Sequence, residues 1–208
     1  MRTALTTATL TALLLAVPAF AADKTLTQSF DYQGETLTLD VGVGEVEIVA
    51  ADTQQVQIEV RVEPSNDGFL FFGGRKDVSD VDLHAKLTEG KKLTLRLNDN
   101  DDVKEHWRIS IPASAAINVD MGVGRIETNG LDNSVEIDLG VGEVEVNHSH
   151  DYGDISLHSG VGDVSFSHNG QNVEVERAMV SASYQANAGG QGRLAVDVGV
   201  GEVDINKL

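Results

Sequence analysis

The stretch Val135-Glu136-Ile137-Asp138-Leu139-Gly140-Val141-Gly142-Glu143-Val144-Glu145-Val146 decides the fold. Apolar residues alternate through Val135, Ile137, Leu139 and Val141, as in a strand with one buried face, and the step from Val141 to Val144 is three residues rather than two. After the second glycine the alternation resumes one residue out of phase, at Val144. A glycine at such a slip lets the backbone bend while both halves keep their apolar side on one core. The same pattern recurs at Gly42-Val43-Gly44, Gly122-Val123-Gly124, Gly160-Val161-Gly162 and Gly199-Val200-Gly201. Steps between the first glycines are 80, 18, 20 and 39 residues. The last step is two periods long, and Val173, Val175 and Ala178-Met179-Val180-Ser181-Ala182-Ser183-Tyr184 read as a worn copy inside it. Polar turns fall between copies at Asn129-Gly130, Ser149-His150-Asp151-Tyr152-Gly153 and Asn169-Gly170.

One repeat is therefore strand, glycine bend, strand, polar turn. This predicts an all-β fold: a β-solenoid, single-stranded and β-helix-like, with two-strand coils of 18 to 21 residues stacked over a shared Val/Ile/Leu core. An antiparallel sandwich also has closely spaced strands. It needs different residues at centre and edge, whereas these copies are alike. Between Asp52 and His106 the pattern changes. Strand-like runs at 56–62 and 93–97 flank a Gly/Phe loop, and Asn98-Asp99-Asn100-Asp101-Asp102 forms an acidic turn. These are read as irregular coils capping one end. The expected organisation is a signal peptide at 1–21 and one domain at 22–208, with irregular N-terminal coils and cap over 22–111 and regular repeats over 112–208.

Composition narrows the function. With 15 basic and 33 acidic residues the formal charge is −18, which argues against nucleic acid and anionic lipid as partners. There is no cysteine, so disulfides, thiolate metal sites and cysteine nucleophiles are excluded. Arg2, an apolar run densest at Leu13-Leu14-Leu15-Ala16-Val17, and Ala19-Phe20-Ala21 read as a secretory signal peptide. Its apolar core is shorter than the ~20 residues of a membrane span. Without Arg2 the chain keeps 14 basic residues against 33 acidic, a charge of −19. A periplasmic or extracellular location is expected, with no membrane span.

The leading strand pair, Ile109-Ser110-Ile111-Pro112, and the tandem glycine-punctuated strands resemble the bacterial putative-adhesin β-strand-repeat family, a domain of unknown function. They are also similar to auto-transporter adhesin head domains. The resemblance runs from about Phe30 to Ile205. It implies a secreted or envelope-associated β-solenoid without established catalytic residues.

Three features could carry chemistry. Residues after each glycine pair (Glu45, Arg125, Glu143, Asp163, Ser181, Glu202) and two further on (Glu47, Glu127, Glu145, Ser165, Ser183, Asp204) should stack into outward columns. These read first as a solvated face that blocks sheet-to-sheet sticking. The competing reading is a calcium site using Glu143 and Asp163. His148 and His168 occupy equivalent repeat positions and should stack; with His150 they could form a zinc site, against the simpler reading of exposed turn residues. Phe69, Leu70, Phe71 and Phe72 sit between glycines and either dock a partner or cover an open end.

No nucleophile elbow, zinc-protease helix or phosphate loop is present. The expected function is non-catalytic: an exported, adhesin-like protein that binds an envelope or extracellular polymer or protein through flat β surfaces, with no required cofactor. The alternatives are a divalent-metal-binding module and a β-helix polysaccharide-active enzyme. The last copy ends at Ile205 without a visible cap, so self-association through a C-terminal β edge is also expected.

Overall fold

The computed structural model describes residues 23–65, 77–88, 92–187 and 189–208. The signal peptide and Phe69 to Phe72 lie outside the described residues. The described chain is all-β: β1 (Lys24–Asp31), β2 (Thr36–Ala51), β3 (Gln55–Pro64), β4 (Leu83–Thr88), β5 (Lys92–Leu97), β6 (Val103–Pro112), β7 (Ile117–Asn129), β8 (Val135–His148), β9 (Asp154–His168), β10 (Gln171–Asn172), β11 (Glu176–Ala178), β12 (Ser181–Asn187) and β13 (Arg193–Lys207). All thirteen belong to one open sheet.

Five long strands carry the glycine pairs. They lie parallel and in register in the spatial order β2, β7, β8, β13, β9. Each runs through its Gly-Val-Gly without interruption. Before the glycines three positions face inward, as in Val135, Ile137 and Leu139; after them two do, as in Val144 and Val146. Equivalent residues from neighbouring strands complete this apolar layer, for example Leu39, Val119, Ile137, Val196 and Leu157.

Glycine is required at the bend for a steric reason. At Gly142 φ is 144° and at Gly201 145°, values that side chains rarely adopt. A Cβ on Gly142 would overlap the carbonyl oxygen of Gly124, and one on Gly201 that of Gly142. The glycine column is thus a line of close backbone approach along which the bends stack.

Two expectations are corrected. The copies do not stack in chain order, because β13 inserts between β8 and β9 and pairs with both. The final copy is therefore interior, and the free C-terminal β edge proposed for self-association does not exist. Nor is the worn copy a rung: β11 and β12 form an antiparallel hairpin, and β12 runs antiparallel to β9. Each long strand runs on through its bend, whereas here the chain reverses direction at Met179, whose φ is 55°, although Val175 and Ala182 on either side are buried.

At the other end β2 is flanked by two strands. Its first half pairs with β5 and its second half with β6. Taken together, β5 and β6 lie like one further parallel strand whose bend is replaced by the Asn98 to Asp102 loop. The remaining strands extend outward from them, β4 beyond β5, and β3 then β1 beyond β6.

Candidate functional site

The parallel register turns the repeat into columns of outward side chains about 4.8 Å apart. One column after the bend runs Glu45, Arg125, Glu143, Glu202, Asp163. The next runs Glu47, Glu127, Glu145, Asp204, Ser165. Ser181 and Ser183 lie in the antiparallel hairpin and join neither. Before the bend a third column holds Asp40, Asp120, Asp138, Asp197 and His158. Partial burial, then the neighbouring Asp197 and Asp120 carboxylates, push the Asp138 pKa up. Burial and Glu145 do the same to Asp204.

Cations relieve parts of this array. Arg125 donates to Glu143 at 2.8 Å and to Glu145 at 2.7 Å. Arg108 reaches Glu47 at 2.8 Å, and Arg61 reaches Asp23 at 2.6 Å and Glu63 at 2.8 Å. Exposed pairs of this kind add little stability, but they display donors and acceptors in fixed positions. Arg61, His106, Arg108 and Arg125 converge with Glu45, Glu47, Glu59 and Glu127 around a shallow depression of about 410 Å³ on the outer face of β3, β6, β2 and β7.

The metal-site residues are not arranged as the repeat spacing predicts. His148 and His168 are not neighbours, because Lys207 of the inserted β13 pairs with both. Glu143 and Asp163 are likewise separated by Glu202. His148 is buried rather than an exposed turn residue, and its ring stands edge-on to Tyr152 at 4.9 Å. Its Nδ1 lies 3.0 Å from the His150 carbonyl, and burial drives its pKa down to about 4. His150 Nε2 is 2.8 Å from the Gln191 carbonyl. No group of three or more His, Asp or Glu placed to hold a metal ion occurs among the described residues.

Two features escaped the sequence reading. Ser167, Asn206, Asn147 and Asn129 form a ladder in which the Ser167 hydroxyl donates to the Asn206 carbonyl oxygen at 2.9 Å, the Asn206 amide to Asn147 at 3.0 Å and the Asn147 amide to Asn129 at 3.0 Å. Carrying the repeat alignment two residues further would have found it. The second is Glu105, fully buried, which accepts from the Gly42 N–H at 2.9 Å and the Trp107 indole at 2.8 Å. Burial raises its pKa against the opposing effect of those two hydrogen bonds. Its signal was an acidic residue on the inward phase of Val103, Trp107, Ile109 and Ile111.

Comparison with known proteins supports the fold. No family model matches the chain, and no curated protein does. A solved structure of a putative cell adhesion protein from Clostridium sporogenes is similar over 89% of this chain and 100% of that one, at 14% identity and a TM-score of 0.50. At that identity the likeness establishes a shared fold. A putative adhesin from Bacteroides fragilis aligns over 88% of this chain and 97% of its own, at 11% identity and a TM-score of 0.23, too low for a meaningful backbone match. No helix among the described residues is long and apolar enough to cross a membrane.

Proposed function

We propose that this chain is an exported, non-catalytic binding protein of adhesin type, whose five long strands act as rungs of a β-solenoid-like stack. It binds an envelope or extracellular polymer or protein through repeated weak contacts. The observation that carries this reading is the register. Five adjacent strands present chemically similar side chains at a constant spacing, which suits a ligand that is itself repetitive. The charged depression around Arg108 and Arg125 supplies paired donors and acceptors for hydroxyl or carboxylate groups. The fold shared with the Clostridium sporogenes protein agrees with such a role.

The test is binding of the mature chain to a panel of immobilised acidic and neutral glycans and envelope polymers, with product analysis for bond cleavage. Saturable binding without cleavage is expected, weakened by about tenfold in an R108A/R125A variant, as loss of one or two charge-assisted hydrogen bonds implies. Cleavage of any glycan, or unchanged binding by the variant, would overturn the proposal.

A further inference from the structure

The outside of the bend carries a line of apolar side chains. Val43, Val123, Val141, Val200 and Val161 are successive neighbours across the five strands and are 40 to 49% exposed. The glycines on either side contribute no side chain to shield them. Beyond β9 the line continues into the β11–β12 turn, where the Val180 carbonyl accepts from Gly162 N–H at 2.8 Å and both Met179 and Val180 are exposed. Seven of the nine large hydrophobic residues exposed among the described residues thus fall on one ridge. Apolar surface gathered in this way marks an interaction site more often than scattered exposed residues do.

Charge narrows the occupant. The ridge is bordered on one side by Asp40, Asp120, Asp138, Asp197 and His158, and on the other by Glu45, Arg125, Glu143, Glu202 and Asp163. Arg125 is engaged by Glu143 and Glu145, Arg177 by Asp163 at 2.8 Å, and His158 lies 3.2 Å from Asp197, so each border keeps an excess of carboxylates. A second copy docking ridge to ridge would set carboxylates against carboxylates, and an anionic bilayer would be repelled in the same way. A partner must be apolar along its centre and cationic along both flanks.

Spacing narrows it further. The valines recur about every 4.8 Å, and a helix presents one side of itself every 5.4 Å. Over four steps the mismatch is about 2.4 Å, half a rung, within the reach of flexible apolar side chains. An extended strand repeats a face about every 6.7 Å and falls out of step after two rungs. We propose that the valine ridge docks a cationic amphipathic helix of about four turns, its apolar stripe along the valines and its lysines or arginines on the two carboxylate borders. This rests on the binding reading above and supplies the chemistry of a protein partner for it.

Two 16-residue Leu/Lys peptides of equal composition test the idea on the mature chain, one with its leucines on a single helical face and one with them scattered. The facial peptide should bind at least about tenfold tighter, gain helical circular dichroism on binding and weaken with salt. A V123T/V141T/V200T variant, which keeps β-branched residues at exposed sites, should lose about tenfold in affinity with an unchanged melting temperature. A D120N/D138N/D197N variant, which neutralises three of the eight border carboxylates, should lose roughly a third of the salt dependence, and decides the matter should the threonine variant not fold. Equal binding of both peptides, or wild-type affinity in both variants, overturns the proposal. So does valine-dependent self-association in sedimentation, or valine-dependent capture by phosphatidylcholine vesicles. Glycan binding through Arg108 and Arg125 is read separately, so either result can fail without the other.

Discussion

The two sides of β2 solve one problem differently. Toward β7 its bend meets another Gly-Val-Gly, and the backbones approach along a column that tolerates no Cβ. Toward β5 and β6 there is no second glycine pair, although the Glu105 carbonyl approaches Gly44 as closely as a neighbouring glycine's does. The chain leaves the corner through the Asn98 to Asp102 loop and returns with Glu105, whose buried carboxylate takes the Gly42 N–H. The regular side satisfies backbone groups by repetition. The irregular side does so with one acidic residue held against an indole. A repeated bend can thus be propagated cheaply by glycine, but its end must be closed by a side chain that carries an acceptor into the core.

Removal of residues 193–208 should have the largest effect on this contrast. It takes out an interior strand with five buried aliphatics, Leu194, Val196, Val198, Val203 and Ile205. At about 2 kcal/mol each this rivals the whole stability of a typical domain. No cooperative thermal transition should survive; a truncated chain that melts like the parent would show that β13 is dispensable. Next is Gly142→Val, which forces a β-branched residue into φ of 144° and against the Gly124 carbonyl. A loss of about 3 kcal/mol or more in urea unfolding is expected, against less than about 0.5 kcal/mol for Val141→Thr on the exposed ridge beside it.

On the irregular side, Glu105→Ala strands two buried donors, Gly42 N–H and the Trp107 indole. A loss of about 2 to 4 kcal/mol should follow, with altered Trp107 fluorescence; an unchanged unfolding midpoint would remove Glu105 as the closing group. The smallest effect belongs to the Asp ladder. The folded pKa of Asp138 is raised above its unfolded value, so its contribution to stability is fully present below the unfolded pKa. That contribution is lost as pH rises through the folded pKa. Asp138→Asn should therefore melt higher than the parent at pH 7, by about a degree because solvent screens so exposed a group, and the gap should close below about pH 4. A gap that instead widens in acid would show that Asp138 is held by an unrecognised cation.

Much of this architecture is written in the chain. The phase slip between Val141 and Val144 marks the bend, because period-two alternation can keep one core only if the backbone turns there; that Val141 itself faces outward was not legible, since alternation places it on the core phase with Leu139. The sameness of the five Gly-Val-Gly copies determines that they align, since each glycine accommodates only a neighbour that also brings its backbone close. What the spacing could not determine is the order of the strands. Any two copies satisfy the same steric rule, so a 39-residue gap is equally compatible with a hidden rung and with a hairpin that sends the chain back. Long-range pairing chose the second, placing Lys207 between His148 and His168 and closing the edge that local pattern left open. Local chemistry fixes what each strand is. Only the three-dimensional competition among nearly identical strands decides which one lies beside which.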